Sequence, residues 1–312
     1  MSEFAIRSYD RQYLDGMCQT YNAMTESEPH IAPLDADLFA RLVEDKSYFD
    51  PSGLFVAVER GRVTGWVHAC VAPTTEGWQK GDETYARIRM LVFAPDSART
   101  GVALVNEATE WLKRSGKQEI LGFHCKAGYP FYRGLWMGGE PMVPATLAHI
   151  HMAFGICGYK STHESIFLTA RVPSRPSEVS AAVKLQFRES DAMMASDGMR
   201  ESWKGFAPKT MMAYVDDECA GHIGWVLLPH VKRLGAPAMN IWSLSVDEQH
   251  RRKGIAAALV SRSMRLSWEA GARHASVGTQ LWNMPAIASY AKFGFLPDRV
   301  LIARTLDLAN DR

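Results

Sequence analysis

Cysteine is scarce in this 312-residue chain: Cys18, Cys70, Cys125, Cys157 and Cys219 are an odd set with no C-x-x-C pair. That excludes a fully paired disulfide framework and fits a reducing compartment in which the thiols are small buried groups. Net charge is nearly absent, since 35 Lys+Arg against 34 Asp+Glu leave +1. No global field therefore gathers nucleic acid or an anionic membrane, and recognition falls to local pockets. Long apolar runs are missing too. None approaches the ~18 residues of a membrane span, and the opening stretch MSEFAIRSYDRQYLDGM breaks every apolar segment with charge. These absences lead us to expect a soluble, cytoplasmic protein with neither nucleic-acid nor membrane partners.

Apolar residues, by contrast, make up 47 % of the chain, enough for sizeable cores in about two domains of ordinary length. Periodicity predicts a strand over 4–9, helices over 11–24 and 37–48, and a hairpin over 54–70 turning at Arg60-Gly61. A strand over 88–93, a helix over 98–113 and a strand over 119–124 follow. The segment 171–178 holds two prolines and two serines, the composition of a connector. Downstream the order returns: strand 183–187, helix 191–203, hairpin strands 211–215 and 222–228, strand 240–246, a helix from about 251, strand 275–278, helix 286–292 and strand 300–305. Residues 93–103 align without a gap on 246–256, placing Gly101 against Gly254, and Gly158-Tyr159 answers Gly294-Phe295. The chain reads as a divergent internal duplication with domains 1–170 and 181–312 joined by a linker at 171–180. The first copy is the longer one, by an insertion placed within 126–143.

The chemistry concentrates in Arg251-Arg252-Lys253-Gly254-Ile255-Ala256, where a strand ends and a helix begins. Glycine permits close backbone approach, alanine keeps the first turn thin, and the unpaired N–H groups of that turn form an anion site. A pyrophosphate suits it. About 30 residues on comes Asn283-x-x-Ala286-x-x-x-Tyr290-x-x-x-Gly294-Phe295.

These two segments, in this order, resemble the GNAT superfamily of N-acetyltransferases, over 181–308 in full and over 1–170 as a degraded copy. The resemblance implies an α/β (α+β) fold: two tandem GNAT-like domains, each a mixed, twisted sheet flanked by helices and splayed between its fourth and fifth strands. Residues 132–141 also look like a segment of some two-repeat members. Acetyl-CoA is the implied cosubstrate, with no metal, and a small-molecule amine the implied acceptor; a homodimer stays open. By the same resemblance, backbone from Arg251 to Ala256 holds the pyrophosphate. Leu244, Ser245 and Val246 run beside pantetheine and offer an oxyanion donor, and Asn283 bonds the pantetheine arm or holds the loop. Tyr290 protonates the departing thiolate, a role suited to a phenol that is neutral at pH 7.

Several positions depart from the family pattern. Where many members carry glutamate on the fourth strand this chain has Asn240, and an amide is no general base. The alternatives are a water held by Asn240, Ser243 or Ser245; His222, Glu218 or Asp247 as the base; or an amine that arrives deprotonated. Asn240 is expected to orient the water or the amine. In the first copy Ala98, Arg87 and Phe154 replace the leading arginine, the base position and the tyrosine, so weak CoA binding is conceivable there but not catalysis. Trp225, Trp242 and Trp282 are either pocket walls or core. His149 and His151 stand two apart on a helix, facing different ways, and suggest no metal site. A non-catalytic acyl-CoA-binding protein, or a thioester reaction other than transfer, are the competing functions.

Overall fold

The computed structural model describes residues 4–73, 84–124, 131–135, 142–190 and 197–309. Cys125, most of the expected insertion and part of the 132–141 segment lie outside them. Strands β1 (Ala5–Ser8), β2 (Leu54–Glu59), β3 (Arg62–Pro73), β4 (Thr84–Phe93) and β5 (Glu119–Gly122) form one wing of a single mixed sheet. Strands β8 (Gln186–Glu189), β9 (Lys209–Val215), β10 (Glu218–Leu228), β11 (Ala238–Val246) and β12 (His274–Gln280) form the other. Both hairpin turns fall at pairs with positive φ, Arg60-Gly61 and Asp216-Asp217, the backbone whose twist matches two antiparallel strands. Helices α1 (Leu14–Met24), α2 (Ala36–Phe39), α3 (Ala98–Lys113) and α4 (Ala148–Ile156) belong to the first half; α5 (Asp197–Ser202), α6 (Ile255–Glu269) and α7 (Met284–Ala291) belong to the second. No helix among the described residues is long and apolar enough to cross a membrane.

One feature is not legible in the sequence: the two halves exchange their last strands. Strand β7 (Lys160–Arg171), which ends the first half, pairs through its later residues with the whole of β12 of the second, from His274↔Arg171 to Gln280↔Ser165. Strand β13 (Leu296–Asp307), the end of the second half, pairs with β5 of the first. The two exchanged strands pair with each other at the centre, and the short β6 (Val143–Pro144) adds to β13. The resulting order, β1-β2-β3-β4-β5-β13-β7-β12-β11-β10-β9-β8, has the symmetry of the duplication.

The connector lies along α6 in the opposite direction. Arg175 pairs with Glu269, Glu178 with Arg262 and Arg265, Val179 N–H donates to Ser261 Oγ, and Ala182 N–H donates to the Lys253 carbonyl at 2.9 Å. Further contacts lock the halves. Arg233 donates to the carbonyls of Asn22, Thr25, Glu28 and Ile31, capping the end of α1 and the turn after it, where a cation also meets the negative end of the helix dipole. Buried Lys46 donates to the Glu201 and Lys204 carbonyls, and Arg299 pairs with buried Glu28. The first-half core takes in Met199, Trp203, Val226 and Leu228 from the second half.

Candidate active site

The parallel ladder between β11 and β12 runs from Ala238↔His274 to Ile241↔Val277 and stops there, although both strands continue. Because β12 stays paired with β7 to Gln280 and β11 with β10 to Val246, the two strands separate from each other while each keeps its outer neighbour. A bulge between Gly224 and Trp225 of β10 faces the extra residue Trp242 at that point, and bulges bend and twist a strand away from its neighbour. Trp242 lies over Gly224, where a Cβ would stand 2.5 Å from the indole. The sheet thus opens into a cleft with residues 242–246 along one side, as the family resemblance requires.

Past the end of β11 the chain turns through Arg251–Gly254 into α6. Arg252 (φ 61°) and Gly254 (φ 83°) are both left-handed, and Gly254 forms the N-cap of α6 without a capping side chain. A left-handed N-cap turns successive N–H groups toward one concavity, and the helix dipole adds its positive end. This arrangement makes the backbone from Arg251 to Ala256 a concavity suited to an anion. Gly254 has a second constraint: a Cβ there would meet Ala181 Cα of the connector at 3.2 Å. A larger residue would therefore press on the connector as well as on any phosphate.

Asn283 caps α7, accepting from Ala286 N–H, while its Nδ2 donates to Thr279 Oγ1 at 3.1 Å. Of the two roles sequence reasoning left open, its contacts are those of a loop holder. Tyr290 lies on α7 at 6 % exposure, its ring 5.6 Å from that of Phe295. Burial pushes its hydroxyl pKa well up, so it carries its proton throughout the neutral range. Asn240 is fully buried in the paired part of β11, one residue short of the opening; its Nδ2 donates to Ser276 Oγ at 3.0 Å, and its Oδ1 has no partner. Ser243, Leu244 and Ser245 follow along the open segment, with Ser245 exposed.

Among the proposed bases, Glu218 is engaged by Gln249 and His250. His222, half-buried on β10, places Nε2 3.0 Å from Ser243 Oγ. The tryptophans separate. Trp225 is core, Trp242 is half-buried beside Trp203 (ring centroids 5.8 Å apart), and Trp282 stands 62 % exposed between β12 and α7. Trp203 carries the guanidinium of Arg133, from the first half, at 4.3 Å. Sequence reasoning missed this cross-half contact, since nothing in either segment alone signals it. Among the described residues no group of three or more His, Cys, Asp or Glu could hold a metal.

The first half repeats the opening but not the anion loop. Strands β4 and β5 pair only from Ala86↔Ile120 to Ile88↔Gly122, with a bulge at His68/Ala69. Helix α3, however, begins at Ala98, the counterpart of Arg251, a full turn earlier than α6. The positions matching Arg252 and Gly254 are Arg99 and Gly101, and both are helical. The Phe93 ring packs on Gly101, where a Cβ would lie 2.3 Å away, and Phe154 packs on Gly122. The weak CoA binding that the surviving small residues left open there has no such loop to support it, because Gly101 and Ala103 lie within α3 and the Phe93 ring packs on Gly101.

A family model described as Acetyltransferase (GNAT) family matches residues 178–295. No curated protein sequence matches. Similar solved structures cover 98 % of this chain. One is the GCN5-related glucosamine N-acetyltransferase region of a fungal multi-domain GH3 β-N-acetylglucosaminidase, with TM-score 0.69 and 14 % identity; the match covers 38 % of that longer chain. A tandem GNAT protein from the clavulanic acid biosynthesis pathway is matched over 99 % of its length (TM-score 0.64, 16 % identity). A GCN5-related N-acetyltransferase from Sphaerobacter thermophilus is matched over 96 % (TM-score 0.66, 12 % identity). At these identities the likeness is one of fold.

Proposed function

We propose that this chain, whose residues 178–295 form an acetyltransferase (GNAT) family domain, transfers the acetyl group of acetyl-CoA to a primary amine on a small molecule, at one site in the second half. The observation that carries the reading is the opening of β11 from β12 beyond Ile241↔Val277, on a strand that leads through residues 247–253 to the left-handed Gly254 and the start of α6. An open strand edge beside a backbone anion site suits an extended thioester ending in a pyrophosphate, and neither feature alone would do so.

In this reading the backbone of Arg251, Arg252, Lys253, Gly254, Ile255 and Ala256 binds the pyrophosphate. Leu244, Ser245 and Val246 border the pantetheine, and a backbone N–H among them polarises the acyl carbonyl. Asn283 fixes the loop that leads into α7. Tyr290, kept protonated by burial, donates to the leaving thiolate. Asn240 braces β11 against β12 through Ser276 and so sets where the cleft begins, a more indirect task than holding the amine. The first half, which lacks an anion loop at its own opening, contributes Arg133 and the end of α1 with the turn after it as contacts that hold the second half in place.

The test is a calorimetric titration with acetyl-CoA, followed by thiol release on adding amines, amino acids and aminoglycoside-like compounds. Glucosamine heads the panel because one fold neighbour acts on it. One tight site per chain and amine-dependent thiol release are expected. Tight binding with no release by any amine would favour an acyl-CoA-binding role instead.

A further inference from the structure

We propose that Ser243 and His222 form the proton path that deprotonates the acceptor amine, an inference that rests on the acyl-transfer reading above. Ser243 is on the open segment of β11, just past the bulged Trp242, along the side of the cleft that the thioester must follow. His222 is on the adjoining strand, its Nε2 3.0 Å from Ser243 Oγ. Asn240, at the position where a carboxylate would serve, is a fully buried amide tied to Ser276, so the proton needs another acceptor.

An alkylamine with a pKa near that of lysine, ~10.4, is almost entirely ammonium at neutral pH and has no lone pair to offer. A neutral imidazole can remove the proton. Burial holds the His222 pKa below the ordinary histidine value, against an opposing pull from Asp247, so the ring is neutral at pH 7 and its Nε2 lone pair is free to accept a proton. The surrounding charges are otherwise engaged. Arg188, in the row Arg188–Met212–His222 across β8, β9 and β10, binds Gln186, Asp217 and the Tyr214 ring. Glu218 is held by Gln249 and His250, and Arg251 by the Val246 carbonyl and Glu248.

The step balances as follows. Ser243 Oγ takes a proton from the ammonium while its own hydroxyl proton passes to His222 Nε2, and the imidazolium later releases a proton to solvent. The freed nitrogen lone pair forms the C–N bond at the thioester carbonyl. The C–S bond breaks with its electron pair on sulfur, which is protonated, and the nitrogen sheds its second proton. Ammonium and thioester become amide, thiol and one proton.

The test compares the parent with His222→Gln and Ser243→Ala, following thiol release from acetyl-CoA with the best amine of the panel as pH rises from neutral toward the pKa of that amine. Both variants should bind acetyl-CoA like the parent. His222→Gln should lose about 10²-fold at neutral pH, a deficit that shrinks as the amine deprotonates unaided. Glutamine can still bond Ser243, so a purely structural histidine would leave the rate near that of the parent. Parent-like rates, or a loss equal at every pH, overturn the relay while leaving acyl transfer standing. If His222→Gln fails to bind acetyl-CoA, the Ser243→Ala profile decides by the same criterion. A parent that binds acetyl-CoA yet releases thiol with no amine overturns acyl transfer, and the relay with it.

Discussion

Tyr290 shows how one side chain can serve packing and chemistry at once. Its ring sits against Phe295 and its hydroxyl is held protonated by burial, so Tyr290→Phe keeps the ring and removes only the hydroxyl with its proton. We expect acyl transfer to fall by about 10² to 10⁴, or about 3 to 5 kcal/mol of barrier, with acetyl-CoA affinity unchanged. Stopped-flow thiol release under single-turnover conditions measures this, and a parent-like rate would make Tyr290 structural. Gly254 tests the anion loop. A side chain at φ 83° costs about 1 to 2 kcal/mol, and Ala181 must yield besides. The free loop escapes that cost by leaving the left-handed conformation, which binding must then restore, so Gly254→Ala should weaken acetyl-CoA binding by up to about five- to thirtyfold by calorimetry, whereas unchanged affinity would mean that the loop does not hold the ligand.

At the scale of elements, the same glycine spacing has opposite meanings in the two halves. Gly254 precedes a helix and shapes a loop, while Gly101 lies inside α3 beneath the Phe93 ring. Gly101→Ala should cost about 1 to 3 kcal/mol by overpacking, seen as a lower melting temperature, with acetyl-CoA affinity untouched. Reduced affinity in that variant would return a ligand site to the first half. The difference begins upstream. Arg251 starts a turn that Arg252 completes in the left-handed region, whereas Ala98 and Arg99 continue directly as helix.

At the scale of the whole molecule, strand exchange makes the halves one unit. A chain ended before β13 would leave β5 and β7 with open edges, and unpaired edges invite aggregation. We expect such a chain to be insoluble and the intact protein to unfold in a single calorimetric transition; two separate transitions would contradict this. Acid should unfold the whole. His68 is fully buried, Nδ1 2.8 Å from the Tyr132 hydroxyl, with its pKa lowered to about 3 by burial and then by Arg89. His30, at the joint between the halves, is lowered to about 4 by burial, with His274 adding to the effect. Both rings are neutral when folded, so below pH ~6.5 the unfolded chain binds more protons. Their contribution is complete above that value and is lost as pH falls toward 4 and then 3. By pH 5 His68 alone accounts for about 2 kcal/mol. The melting temperature should fall between pH 7 and pH 5, and His68→Gln should flatten that slope.

The sequence by itself indicated most of the elements, though not β7, together with the duplication and the Arg251–Ala256 segment at which a strand gives way to a helix. Helical and strand periods, turn pairs such as Arg60-Gly61, and the spacing from Arg251 to Tyr290 are local properties written in consecutive residues. The capping role of Asn283 was within reach for the same reason. What only the tertiary structure decided is which strand pairs with which and what each buried group faces. The exchange of β7 and β13 was hidden because each strand carries residues that either half could bury, β7 in an almost unbroken run over 165–170 and β13 in alternation over 301–305. The burial of Asn240, the meeting of His222 with Ser243 and the packing of Phe93 on Gly101 each depend on a neighbour brought in by the sheet. Backbone conformation follows from nearby residues, whereas burial and partnership are fixed only when distant strands come together.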